Sequence, residues 1–227
     1  MAERGMIFNA EMVGAILDGR KTQTRRVVNG VPTTHDFHGW VLSSTSAKDE
    51  GKACWAIGKS PLLKQPIRVR CPFGEVGDRL WVREAFRVMG CATDVARLMY
   101  KASERNSFTE STRTVPVASC TKQPSQKWTP SIHMPRWASR ITLEITNVGV
   151  QRLQSISQND AAREGLVRLP ASGRYCINQG DQYFGGASHD AREVFSWLWS
   201  SIYGEESWES NPWVWVIEFR RVDGGAA

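Results

Sequence analysis

Residues 19–26 read Gly-Arg-Lys-Thr-Gln-Thr-Arg-Arg, which sets four cations and two hydroxyls into eight positions. A run of Arg20, Lys21, Arg25 and Arg26 held by a fixed backbone can grip a phosphate or another anionic substrate. Lys21 has a further possibility. Like charges around it disfavour its ammonium form, so it is expected to give up a proton more easily than an isolated lysine and to serve as a base. A solvated basic turn is the plainer reading of the same residues. A second group lies in residues 128–140, Trp-Thr-Pro-Ser-Ile-His-Met-Pro-Arg-Trp-Ala-Ser-Arg. His133, Arg136, Trp137 and Arg140 offer an imidazole, two guanidinium forks and a stacking surface, which together suit a base and its phosphate. The competing reading is a packed loop with Arg140 paired to an acid. Glu84 follows the Leu80-Trp81-Val82 run and is expected to bring a carboxylate to the same cleft. His35-x-x-His38, with Asp36, has metal-compatible spacing but no companion ligands, so no metal and no cofactor are called for.

These residues need elements to position them. Asn9 can cap a short helix whose Met12, Val13, Ile16 and Leu17 share a face, and Gly19 supplies the left-handed residue that stops it. The basic cluster therefore leaves a packed helix at a defined point. Strands are expected at 79–82, 141–150 and 213–219, where β-branched and aromatic residues dominate. In 141–150 the alternation is clear, with Ile141, Leu143 and Ile145 on one side and Thr142, Glu144 and Thr146 on the other, as in a half-buried sheet. Ser157 and Asp160 resemble a capping box, with Gly165 closing the short helix after them. A third helix begins at Asp190 and carries Val194, Phe195, Leu198 and Ile202 on one face until Gly204. If residues 21–26 formed one regular strand, Lys21 and Thr24 would face opposite ways, so a site using both requires an irregular backbone near Lys21 or Thr22.

The stretch Gly19, Lys21, Thr22, Thr24, Arg26 resembles the Gly-x-Lys-Thr-x-Thr-x-Arg signature of the ASCH family, small proteins with a PUA-like β-barrel. Gly77-Asp78-Arg79-Leu80-Trp81-Val82, residues 156–165 and residues 213–219 resemble further family stretches in the same order. The resemblance covers about half the chain and leaves roughly 27–73, 89–127 and 166–188 as insertions. One branch of the family consists of N4-acetylcytidine amidohydrolases, and it implies a catalytic set of Lys21, Thr24 and Glu164. Thr24 would be the nucleophile, Lys21 the base that accepts its proton, and Glu164 a group that shuttles a proton or orients the lysine. That branch has no counterpart of Glu84. Other family members are RNA-binding modules or ribonucleases, and membership alone does not choose among these roles.

The 227 residues suit one domain, 1–222, with three insertions and a frayed tail at 223–227. A net charge of +6 suits an RNA or phosphate-bearing partner. The insertions read as long loops, the first rich in Gly, Ser, Thr and Pro, the second with a basic tilt, and the third as a mobile flap. Five dispersed cysteines argue against a disulfide framework and for a reducing cytoplasm. No leader-like apolar segment and no run of 18 apolar residues occurs, so no membrane partner is expected. The expected fold is α+β, a PUA-like, mostly antiparallel small barrel flanked by helices. The expected function is recognition of RNA or a modified nucleoside in a basic cleft, with hydrolysis as the further step. The alternatives are a non-catalytic RNA-binding module, a ribonuclease or a protein-interaction protein.

Overall fold

A computed structural model describes residues 1–44, 46–58 and 64–222. In chain order the elements are β1 (Glu3–Ile7), α1 (Ala10–Leu17), β2 (Gln23–Val27), β3 (Asp36–Trp40), β4 (Ala53–Ile57), β5 (Lys64–Val69), β6 (Arg79–Arg83) and β7 (Phe86–Cys91). Then come β8 (Val95–Tyr100), α2 (Phe108–Ser111), β9 (Thr112–Pro116), β10 (Thr142–Arg152) and α3 (Gln158–Arg163). The chain continues through β11 (Val167–Arg168), β12 (Tyr175–Cys176), β13 (Ala187–Ser188), α4 (Ala191–Tyr203), α5 (Glu205–Glu209) and β14 (Trp213–Val222). The fold is α+β with mostly antiparallel sheets, and no closed barrel is found among the described residues. Contacts divide the chain, read from sequence as one domain, into two compact units. The first comprises Met1–Thr22, Gly77–Ile145 and the chain from Phe219 on, and the second comprises Gln23–Val76 and Thr146–Glu218. The tail expected to fray lies outside the described residues.

In the first unit β1 runs parallel to β6, with Arg4 opposite Leu80 and Met6 opposite Val82, and β10 begins antiparallel to β6 with Leu143 opposite Leu80. Gly5 is required by that pairing: a Cβ there would meet the Trp81 ring at 2.7 Å. Helix α1 forms as its residues dictate. The Asn9 side chain accepts from the Met12 N–H at 2.8 Å, Val13, Ala15 and Ile16 are buried, and Gly19 takes φ +75° just past the end. Strands β7, β8 and β9 form an antiparallel meander over a core of Phe86, Val88, Leu98, Tyr100 and Met134.

In the second unit β14 pairs antiparallel with β2, Ile217 lying opposite Thr24. A second meander, β3-β4-β5, packs Phe37, Trp40 and Trp55 against Trp213 and Trp215. Helix α3 starts at Ser157, whose side chain caps the Asp160 N–H at 3.1 Å. Helix α4 starts at Asp190, which accepts from the Arg192 N–H at 2.8 Å, and buries Val194, Phe195, Leu198 and Trp199 in a common core with Leu153, Ile156 and Val214.

Two expectations are corrected. Ile202, expected on the buried face of the third helix, is 40 % exposed, because the last turn of α4 runs past the core. The three insertions, expected to be long loops, the first with local structure, are organised by three-stranded antiparallel sheets: β3-β4-β5 in the first, β7-β8-β9 in the second, with β7 starting just ahead of it, and β11-β12-β13 in the third. Their strands are short, and register shifts between Phe37 and Gly39, Trp55 and Ile57, and Val88 and Gly90 break the period-two pattern that would have marked them.

Candidate functional site

The stop of α1 hands the chain directly to Lys21. Its backbone N–H closes on the Ala15 carbonyl at 3.0 Å, and the residue is only 2 % exposed. Withdrawing an ammonium group from water costs several kcal/mol unless partners replace the solvent, so the position is specialised. Lys21 and Thr22 stand before the regular strand, which starts at Gln23.

In the second unit Thr24 is 1 % exposed on β2, and Glu164, the residue that ends α3, is 3 % exposed. Arg25 joins their neighbourhoods. Its Nη1 donates to Glu164 Oε1 at 2.7 Å. With the Gln151 amide turned to satisfy both groups, its oxygen accepts from Arg25 Nη2 at 2.6 Å and from Nε at 2.9 Å. An Asp160 carboxylate oxygen stands 3.9 Å from Nη2, and the Phe195 ring lies 5.9 Å from the guanidinium carbon. Gln23, two residues before Arg25, turns the same way and donates Nε2 to the Asp160 carbonyl at 2.5 Å, while its Oε1 is buried without a hydrogen-bond partner. Alternation along β2 therefore turns Thr24 to the face opposite Gln23 and Arg25. Glu164 serves the arginine's face of the strand. Beside this group Glu218 accepts from Asn147 and Arg163, which hold its carboxyl below the usual range.

The remaining residues singled out from sequence are mostly engaged inside the fold. Arg25, expected on a phosphate-binding surface, is instead buried against Glu164. Arg20 Nη2 donates to Asp18 at 2.8 Å, and Arg26 Nη1 to the Tyr203 hydroxyl at 3.3 Å. In the first unit Arg140 donates Nε and Nη2 to the two oxygens of Glu84 at 2.9 and 3.0 Å, and further to the Ser103 hydroxyl and the Glu110 carbonyl. Its guanidinium lies 4.1 Å from the centre of the Tyr100 ring. Burial pushes the Glu84 carboxyl up, and Arg140 pulls it partly back. Burial likewise pushes the Tyr100 phenol up, and its hydroxyl donates to the Ala138 carbonyl at 2.8 Å. Arg136 makes a two-pronged pair with Glu3 at 2.9 and 2.8 Å, Trp137 packs edge-on against Phe86, and His133 is exposed in a 3₁₀ turn. The kit for clamping a base and its phosphate is thus dispersed: of its four members only His133 has no internal contact described above. His35 is buried and His38 exposed, and no cluster of three or more His, Cys, Asp or Glu suited to a metal occurs among the described residues.

Sequence reasoning missed Gln151, Gln23 and Asp160 around Arg25, and Tyr100 and Ser103 around Arg140. Gln151 had a signal, since the strand expected over 141–150 runs on through it to Arg152. Tyr100 and Ser103 had none, because they sit at the edge of the β8–β9 connection, in a stretch that reads as loop. No protein-family model, no curated protein and no solved structure matches the chain.

Proposed function

We propose that this chain is an ASCH-like protein, with the family's PUA-like barrel as its ancestral plan, that recognises a modified nucleoside, free or within RNA, and hydrolyses an amide on its base. The burial of Lys21, Thr24 and Glu164, each at most 3 % exposed, is the observation that carries this reading. The Arg25 pair accounts for the burial of Glu164, so the weight of this reading falls on Lys21, an ammonium-bearing side chain that a mere surface role would leave in water. The pairing of Arg20, Arg25, Arg26, Arg136 and Arg140 within the fold supports a neutral nucleoside over a bare phosphate chain as the group recognised. In this reading the Thr24 hydroxyl oxygen bonds to the acyl carbon as its proton passes to a basic nitrogen, the role that the family resemblance gives to Lys21. The C–N bond then breaks, and the leaving nitrogen takes that proton. Water cleaves the resulting ester to give the carboxylic acid and regenerate Thr24. Glu164, turned to Arg25, has a positioning role.

The test is release of acetate from N4-acetylcytidine, run beside cleavage of a short RNA. Lys21→Arg keeps the charge but cannot act as the base, so it abolishes turnover while leaving nucleoside affinity within a few-fold of wild type. Thr24→Ser retains part of the activity and Thr24→Ala removes it. Thermal melts establish that each variant folds. Wild-type protein that releases nothing from either substrate but binds RNA overturns the catalytic reading in favour of a non-catalytic binding module.

A further inference from the structure

The β7-β8-β9 meander buries one face, with Phe86, Val88, Leu98 and Tyr100 in its core, and alternation along β8 turns Arg97 to the other. Arginines elsewhere in the fold find carboxylates, as Arg4, Arg25, Arg136 and Arg140 do. Arg97 does not. Its guanidinium carbon lies 5.2 Å from the centre of the Phe108 ring, and it has no acceptor among the described residues. A guanidinium held against a ring is fixed in direction while its fork of N–H donors stays available to an oxyanion. Around that fork the strands leave room. The cross-strand neighbours of Arg97 are Gly90 on β7 and Thr114 on β9. Where a Gly90 Cβ would stand, no atom beyond the chain neighbours lies within 4 Å, and the Gly90 backbone is not in the left-handed region that favours glycine. The position is therefore open for want of a side chain and not to relieve the backbone. A register shift between Val88 and Gly90 sets Met89 out of the ladder beside it. The result is a cavity of about 390 Å³ lined by Met89, Gly90, Val95, Arg97 and Thr114, a size that suits a small organic molecule. Met89, Val95 and Phe108 are all exposed, so apolar surface gathers around one cation.

We propose that this cavity binds a small organic oxyanion, a carboxylate or phosphomonoester carried on an apolar body. The oxyanion sits on the Arg97 fork, where a charge-assisted, two-pronged hydrogen bond fixes its orientation, and the Thr114 hydroxyl supplies one more donor. The apolar body covers Met89 and Val95 and fills the gap at Gly90. Removing that surface from water provides the part of the affinity that an inorganic anion would lack. The chemistry of the lining selects for both parts at once, since Arg97 is the one charged group among the described lining residues and the rest offer little to a fully polar ligand. The site lies wholly within the first unit and does not rest on the nucleoside reading.

The experiment titrates the isotope-labelled full chain with naphthoate, naphthyl phosphate and the uncharged naphthylmethanol, and follows the backbone amide signals by NMR. At least one of the two anions should shift the signals of residues 89–97 and 114 to saturation and bind about tenfold or more tightly than the alcohol. The tighter of the two names the head group. Arg97→Met keeps an apolar stem but loses the fork, so it should weaken the anion about tenfold and leave the alcohol within about twofold. Gly90→Val, a residue suited to a strand, should fill the cavity and abolish binding of all three probes. Amide spectra of both variants establish that each folds, and the exposed Arg97 position keeps the test open should the Gly90 variant not fold. The proposal is overturned if neither anion gives a saturable shift up to millimolar concentration, if the shifts fall outside the meander, or if Arg97→Met binds the anion as well as the wild type does.

Discussion

An arginine whose side chain is 1 % exposed has lost water at every donor, so its effect on stability depends on what replaces that water. Arg25 recovers a carboxylate and an amide oxygen, and Glu164 depends on it in turn. Removing the guanidinium would strand a carboxylate that is 3 % exposed. Arg25→Ala is therefore expected to destabilise the protein by about 3–5 kcal/mol. Arg136 offers the contrast. Its pair with Glu3 has the better two-pronged geometry, but both side chains are 40 % exposed or more, so Arg136→Ala should cost less than about 1 kcal/mol. Urea unfolding of the two variants checks the difference, and equal losses would contradict it. Lys21 and Thr24 could be picked from sequence because their types and spacing are local. The fate of Arg25 could not, since its partner lies 139 residues away and only the folded chain brings the two together.

The helices were legible because their signals are written within one or two turns. Asn9 and Gly19 bracket α1, Ser157 starts α3, and Asp190 and Gly204 bracket α4, all as their types imply. In α4 the cap and the core make separable contributions. Asp190→Ala removes one acceptor at the first turn and should cost about 1 kcal/mol. Trp199→Ala empties a site that is 2 % exposed and should cost about 3–5 kcal/mol. Thermal or urea melts of the two variants measure the ratio, and a cap variant as damaging as the core variant would argue against this division. The strands of the insertions were illegible for the opposite reason. Each is short, and most of what identifies it is the neighbour it pairs with, as when Ala96 finds both Cys91 and Val115. The alternation of Ile141, Leu143 and Ile145 stood out because it is local and its three apolar residues are all buried.

Charge is the property that belongs to the whole chain. A net +6 suggests a polyanionic partner when counted from sequence, but counting does not say which cations remain available to one. The arginines of the motif and of residues 128–140 have acceptors within the fold; pairing with carboxylates leaves the net +6 unchanged, but these residues offer fewer open donors to a phosphate chain. Binding of an unmodified single-stranded RNA should consequently fall by less than about tenfold between about 50 and 200 mM salt. A fall of about a hundredfold, measured by fluorescence anisotropy, would require about five neutralised phosphates and would restore the polyanion reading. The α+β class was visible in the mixture of capped helices and alternating strands. The division into two units was not, because each unit is assembled from separated stretches of chain. No helix among the described residues is long and apolar enough to cross a membrane.

The pairing of β2 with β14 has a consequence for how the chain is made. The three meanders pair neighbours in sequence and can form as soon as they leave the ribosome, but β2 pairs with the last strand described. At ordinary rates of synthesis β2 would wait roughly 10–40 s for that partner. A bare apolar strand exposed for so long invites pairing with other nascent chains, whereas charged side chains discourage it. β2 carries Arg25 and Arg26 side by side. Before Arg25 ever closes on Glu164, its charge can act as a gatekeeper that keeps the waiting strand from the wrong neighbour.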